Sequence, residues 1–128
     1  MKLLLDTHAL LWFVWNHPNL SATGLSLITD PKNTLLFSAA SVWEIAIKVS
    51  IGKFTLADPY DVFMNQAIST TGLTILPIEV RHAATLAALP RHHRDPFDRM
   101  LVAQALVETM PLVSTDAVFD AYGVNRLW

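Results

Sequence analysis

Four acidic side chains stand out for where the surrounding pattern puts them. Asp6 closes the apolar run KLLLD, Glu44 lies inside SVWEIAIK, Asp98 lies in HHRDPFDRMLVAQA, and Asp116 follows PLVST. The chain has 11 acids in 128 residues and is 52% hydrophobic, so a carboxylate at the end of an apolar run is conspicuous. Such a group is costly to bury unless something partners it, and a divalent cation partners several at once. Carboxylate oxygens without nitrogen or sulfur ligands suit Mg²⁺ or Mn²⁺. On a phosphodiester, two such ions about 4 Å apart activate water and neutralise the leaving oxygen of an in-line displacement. The pattern therefore points to a metal-dependent hydrolase site.

The elements that must position these acids alternate. Apolar runs at Lys2 to Leu5, Thr34 to Phe37, LTILPI after Gly72, Leu112 to Ser114 and Val124 to Leu127 read as strands. Helices are expected over Thr7 to Trp15, Ser21 to Thr29 with Ser21 as N-cap, Ala40 to Ser50, Asp61 to Ser69, Glu79 to Leu89, Phe97 to Thr109, and a short one near Asp116 to Ala121. Continuous rather than alternating apolar strands, each followed by a helix, mark a parallel sheet covered on both faces. In such α/β sheets functional groups gather beyond the carboxyl ends of the strands. Asp6 and Asp116 both sit just past such an end.

Each acid also has a plainer reading. Asp6 could cap the helix beginning at Thr7, but a serine would cap without placing a charge beside a buried strand. Glu44 and Lys48 are spaced i,i+4 and form one polar face with Ser41, which reads as solvated. Asp98 shares a stripe with Leu101, Val102 and Ala105, whereas Gln104 and Glu108 mark the polar side of that helix. Asp95-Pro96-Phe97-Asp98 fits an N-cap, a proline at N1 and an acid at N3, a variant of the capping box that accounts for Asp98 without a ligand; both roles are compatible if Asp95 caps and Asp98 binds. Asp116 could cap the short helix after it, but its strand should neighbour that of Asp6. Asp30 and Asp58 each precede a proline and read as turn residues. The basic run Arg91-His92-His93-Arg94, with Arg99, reads as a solvated loop, or else as a phosphate contact near Asp98. Its adjacent histidines lack zinc-ligand spacing. His8 and Arg81-His82 read as surface or packing residues.

Composition narrows the classes. The length suits one domain, 1–128. A net charge of −2 does not advertise nucleic-acid binding, so an anionic substrate needs a local patch or a bound cation. The absence of cysteine excludes disulfides, thiolate metal sites and cysteine nucleophiles, and suits a reducing cytoplasm. The apolar run Ala9 to Trp15 is too short to span a membrane, and no membrane segment is expected. Trp12 and Trp15, one helical turn apart, suggest a surface that meets another protein chain.

The segments LLLDTHALLW, SVWEIAIK, HHRDPFDRMLVAQA and LVSTD together resemble the PIN-domain ribonucleases, most closely the VapC-type toxins of prokaryotic type II toxin–antitoxin modules. The resemblance runs essentially end to end. It implies a three-layer α/β/α fold with a central parallel sheet of about 4–5 strands. It implies a Mg²⁺-dependent endoribonuclease, with Mn²⁺ as the alternative ion, acting on RNA in the cytoplasm. The family's four acids match Asp6, Glu44, Asp98 and Asp116, which would serve catalysis and metal binding together. Asp95, Arg94, Arg99 and Thr115 would contact RNA or support the site. The resemblance further implies a homodimer silenced by a small cognate antitoxin, laid over the early helices near Trp12 and Trp15. Two other readings stay open. One is a PIN-fold RNA- or protein-binding module without catalysis. The other is a phosphotransfer enzyme with Asp6 as nucleophile, although no second acid follows Asp6 closely.

Overall fold

A computed structural model describes residues 1–128. Five strands form one fully parallel sheet in the order β3-β2-β1-β4-β5: β1 (Lys2–Leu5), β2 (Thr34–Ser38), β3 (Thr74–Leu76), β4 (Leu112–Val113) and β5 (Arg126–Leu127). Between them run α1 (Thr7–Val14), α2 (Ala22–Thr29), α3 (Ala39–Ser50), α4 (Tyr60–Thr71), α5 (Val80–Ala88) and α6 (Pro96–Glu108), with a 3₁₀ helix at Ala117–Tyr122. The expected elements all form, with ends shifted by a residue or two. The strand read from LTILPI shortens most, to Thr74–Leu76, and the last strand halves, to Arg126–Leu127.

The strands are apolar throughout because both faces of the sheet are covered. Leu3 and Leu5 point into one core with Ala9, Leu10, Ile28, Phe37, Ile45, Met64 and Val113. Leu4 points into the other, with Leu101, Val102, Ala105, Leu112 and Phe119. Successive residues of β1 thus serve opposite layers, as the period of a strand requires. Leu3, Leu4 and Leu5 are each wholly buried, and each contributes roughly 2 kcal/mol of hydrophobic stabilisation. Helices α1 to α4 supply the first layer; α6 and the 3₁₀ helix supply the second. This is a three-layer α/β/α sandwich.

One part of the sequence reading is overturned here. Gln104 does not mark an open polar side of α6; it is wholly buried and its Nε2 donates to the Pro77 carbonyl. Helix α5 covers that face, so α6 is enclosed on both sides. Glu108 is half-covered by the same helix, through Arg81 and His82.

The chain order fixes where a site can form. From β1 the connections lead outward to β2 and β3 on one side, and to β4 and β5 on the other. At such a reversal, the crossovers diverge and leave a crevice beyond the strands' carboxyl ends. Asp6 follows β1 at the edge of that crevice. β4 is its direct neighbour, with Leu5 opposite Val113.

Candidate metal centre

A cleft of about 490 Å³ opens at this reversal, lined by Asp6, Glu44, Asp95, Asp98 and Asp116 with His8, Trp12, Lys48, Thr115 and Ala117. The four acids singled out from sequence thus come together, and Asp95 and Thr115 join them. Each is delivered by a different local device.

Asp6 occupies the N-cap position of α1, yet its side chain makes no cap bond. Its carboxylate instead accepts a 2.8 Å bond from Ser114 Oγ, across 108 residues of sequence. The capping explanation of this acid therefore fails. At 6% exposure Asp6 is buried, and burial pushes its carboxyl above the usual range, opposed by the Ser114 bond and by His8.

Glu44 projects from the middle of α3. The solvated face expected from Ser41, Glu44 and Lys48 is not solvated: Ser41 and Glu44 are buried where α3 meets α1 and α6. Both Glu44 oxygens are engaged. Oε1 accepts from Thr7 Oγ1 at 2.6 Å, and Oε2 pairs with Lys48 Nζ at 2.6 Å. The i,i+4 pair is real, but it sits at the wall of the cleft.

Asp95 caps α6, accepting from the backbone N–H groups of Phe97 and Asp98, with Pro96 in the first turn. Asp98 does not return the favour in the manner of a full capping box; no hydrogen bond reaches its carboxylate. Oδ2 faces His93 Nε2 at 3.6 Å, outside bonding range. Burial, then the charges of Asp6, Asp95, Glu44 and Asp116, push the Asp98 carboxyl up to about 8. Asp116 caps the 3₁₀ helix, accepting from Val118 N–H through Oδ1. Its backbone N–H is held by Ser114 Oγ, so one serine ties the loops of Asp6 and Asp116 together.

The donor set fits a hard divalent cation. The converging groups are carboxylates, with Asp98 free of hydrogen bonds and Asp6, Asp95 and Asp116 each bonded mainly through one oxygen. Their mutual repulsion is the load a cation would relieve. His8, set aside in the sequence as a surface or packing residue, lines the cleft beside Trp12 at 5.5 Å between ring centroids. Thr7, Lys48 and Ser114 also went unnoticed as site residues. Lys48 was visible as the i,i+4 partner of Glu44; the hydroxyls of Thr7 and Ser114 carry no sequence signal.

The basic residues divide. Arg94 and Arg91 are exposed and form no ion pair, whereas Arg99 is 8% exposed and spends its guanidinium on the carbonyls of Leu86, Leu89 and Pro90 and on Tyr122 Oη. Arg99 thus secures the loop ahead of α6 and has no donor directed at the cleft.

A second group, Glu79, His82 and Glu108, also brings three potential ligand atoms within 4.8 Å. Here His82 Nδ1 accepts from Glu79 N–H, Nε2 bonds Glu108 Oε1 at 2.9 Å, and Arg81 pairs with both acids. Both ring nitrogens are spent and Arg81 offsets part of the charge, so the group works as a clamp between α5 and α6.

A parallel sheet carrying carboxylates on several loops at its reversal point defines a class of acid-cleft α/β proteins. Residues 3–125 match the PIN domain family, and the chain belongs to that family. Over 73 residues it is 34% identical to Ribonuclease VapC16 of Mycobacterium tuberculosis (strain ATCC 25618 / H37Rv). That stretch covers 54% of this chain and 50% of the relative, so the match spans about half of the relative's length. The fold resembles that of VapBC2 from Rickettsia felis bound to a promoter DNA fragment, with a TM-score of 0.74 at 16% identity over 99% of this chain and 98% of that one. It also resembles VapBC-1 from nontypeable Haemophilus influenzae, with a TM-score of 0.66 at 15% identity over 99% and 97%. At these identities the likeness is one of fold.

Proposed function

We propose that the 128 residues form a single PIN domain acting as a Mg²⁺-dependent endoribonuclease, the toxin of a toxin–antitoxin module. The observation that carries this reading is the convergence of Asp6, Glu44, Asp98 and Asp116 in one cleft of a PIN fold. A partial relative named as a ribonuclease and the shared fold of VapBC complexes support it.

Asp6, Asp98 and Asp116 would hold the ion, since each has oxygen capacity left over. When bound, Mg²⁺ or Mn²⁺ supplies Lewis-acid polarisation of a phosphodiester and of the attacking water. The protein's own part is positioning. Ser114 orients Asp6, and Thr7 with Lys48 fixes Glu44. Lys48, paired with Glu44 at the wall of the cleft, lowers the local negative potential. Asp95 builds the first turn of α6 that aims Asp98. Thr115 lines the cleft and Arg94 is exposed on the loop just ahead of Asp95; both would meet RNA phosphates, while Arg99 would hold that loop through the Pro90 carbonyl.

The cognate antitoxin would cover the apolar surface of the early helices. There Trp15 is 41% exposed on Phe54 and Phe63, while Trp12 is half-buried between His8, His17 and Trp128. Another exposed apolar residue, Trp43 at 62%, suits a homodimer contact. No helix is long and apolar enough to cross a membrane, and a cytoplasmic site of action accords with the lack of cysteine.

The test is cleavage of total cellular RNA by the purified protein with Mg²⁺, with EDTA, and beside Asp6→Ala. Discrete cleavage that needs both the metal and Asp6 is expected. No cleavage by folded, antitoxin-free protein would favour the binding-module reading instead.

A further inference from the structure

His93 belongs to a basic run whose histidines do not have metal-ligand spacing, yet its side chain is turned inward. It packs edge-on against Phe119 and Tyr122 behind the first turn of α6. Its Nδ1 lies 2.7 Å from Tyr122 Oη. Its Nε2 is buried, has no hydrogen-bond partner, and faces Asp98 Oδ2 at 3.6 Å. A buried ring nitrogen without a partner is uncommon and calls for an explanation.

The direction of the hydrogen bonds supplies one. Arg99 can only donate, and its Nη1 lies 3.3 Å from Tyr122 Oη, so the phenol accepts there. The phenol proton then needs an acceptor of its own, and the ring nitrogen at 2.7 Å is the remaining partner. An Nδ1 that accepts is unprotonated, so in the neutral ring the proton sits on Nε2. That N–H would lie 3.6 Å from Asp98 Oδ2.

We propose that Arg99, Tyr122 and His93 form a donor relay that fixes the Nε2–H tautomer and makes His93 a positioning residue for Asp98. The inference rests on the metal-centre reading above. Asp98 is the one acid of the cleft with no hydrogen bond to its carboxylate, and His93 Nε2 stands 3.6 Å from its Oδ2. Closing that 3.6 Å gap would engage Oδ2 with Nε2–H and leave Oδ1 free for a cation. Arg99 and Tyr122 thereby acquire a role at a distance: one holds the loop, and both dictate the tautomer. Outer partners of this kind tune the affinity of metal sites by about 10- to 100-fold.

The first test is spectroscopic. The ¹⁵N chemical shifts of the His93 ring, in metal-free full-length protein at a pH where the ring is neutral, report which nitrogen carries the proton. A predominant Nε2–H form is expected. A predominant Nδ1–H form would overturn the relay. In Tyr122→Phe the Nδ1 acceptor bond is lost, and the Nε2–H fraction should fall; an unchanged fraction counts against the relay. The second test is Mn²⁺ binding, followed by titration calorimetry or the electron-spin signal of the free ion. His93→Ala should weaken Mn²⁺ about tenfold, and His93→Gln, whose amide N–H can still reach Oδ2, should recover most of that loss. Equal affinity in all three proteins would refute the positioning role. If the protein binds Mn²⁺ but cuts no RNA, the proposed activity fails while these outcomes still decide the relay. If it binds no Mn²⁺, the metal centre fails and the ring tautomer alone decides it.

Discussion

Replacing Asp98 with asparagine should make the metal-free protein more stable, although it removes a residue from the centre of the proposed site. The carboxyl is held at about 8 in the folded chain, against 3.8 for an unstrained aspartate. Between those values the folded state binds a proton that the unfolded state does not. Stability contributed by Asp98 is therefore present at low pH and falls as pH rises through the window from about 4 to about 8. At about pH 7, three of those pH units have been crossed, which sets an upper limit of about 4 kcal/mol. The side chain is 20% exposed, and solvent screening halves the figure to about 2 kcal/mol. Asp98→Asn matches the shape of the neutral acid and breaks no hydrogen bond, since the carboxylate accepts none. The expected gain in melting temperature at about pH 7 is roughly 8 °C for a chain of this length. The gain should shrink toward zero near pH 4, where the acid is protonated in both states. Thermal unfolding of both proteins across this range, in EDTA, is the assay. Added Mg²⁺ should stabilise the wild type by mass action and leave the variant nearly unmoved. A melting temperature that is unchanged or lowered near pH 7 would refute the view that crowded carboxylates burden this position.

Three further outcomes follow from the same geometry. Mn²⁺ affinity should rise steeply between about pH 6 and pH 8 and then level off, because a proton must leave Asp98 before a cation binds; calorimetry at several pH values checks this. Arg99→Ala should cost about 3 kcal/mol in chemical denaturation, since it strips donors from three carbonyls and the Tyr122 hydroxyl inside the fold. Thr7→Val should cost about 2 kcal/mol of stability, since it strips the donor from buried Glu44 Oε1, and lower RNA cleavage about tenfold or more in protein that is still folded; single-turnover cleavage beside chemical denaturation separates the two effects.

The sheet could be read from sequence because its signals are local. Uninterrupted apolar runs, Pro96 opening a helix and Ser21 capping another need only their neighbours. The gathering of Asp6 and Asp116 follows from strand order, once β1 and β4 are taken as adjacent. What escaped the sequence depends on contacts between distant residues. Glu44 looks solvated beside Lys48 until α1 and α6 close over α3, with Thr7 arriving from 37 residues away. Gln104 looks like an outer residue of α6 until α5 folds across it. Ser114 is an ordinary strand-end serine until its hydroxyl meets Asp6. His93 sits in a run that reads as a solvated basic loop, and only its packing on Tyr122 turns it toward Asp98.

The central claim is that the carboxylates at the sheet's reversal point hold a divalent cation. A crystal grown with Mn²⁺ and measured at the manganese edge tests it most directly. An anomalous peak among Asp6, Asp98 and Asp116, absent from an Asp98→Asn crystal, is the expected result. A peak at Glu79, His82 and Glu108 alone, or no peak in the acidic cleft of a protein that still cleaves RNA, would contradict the account.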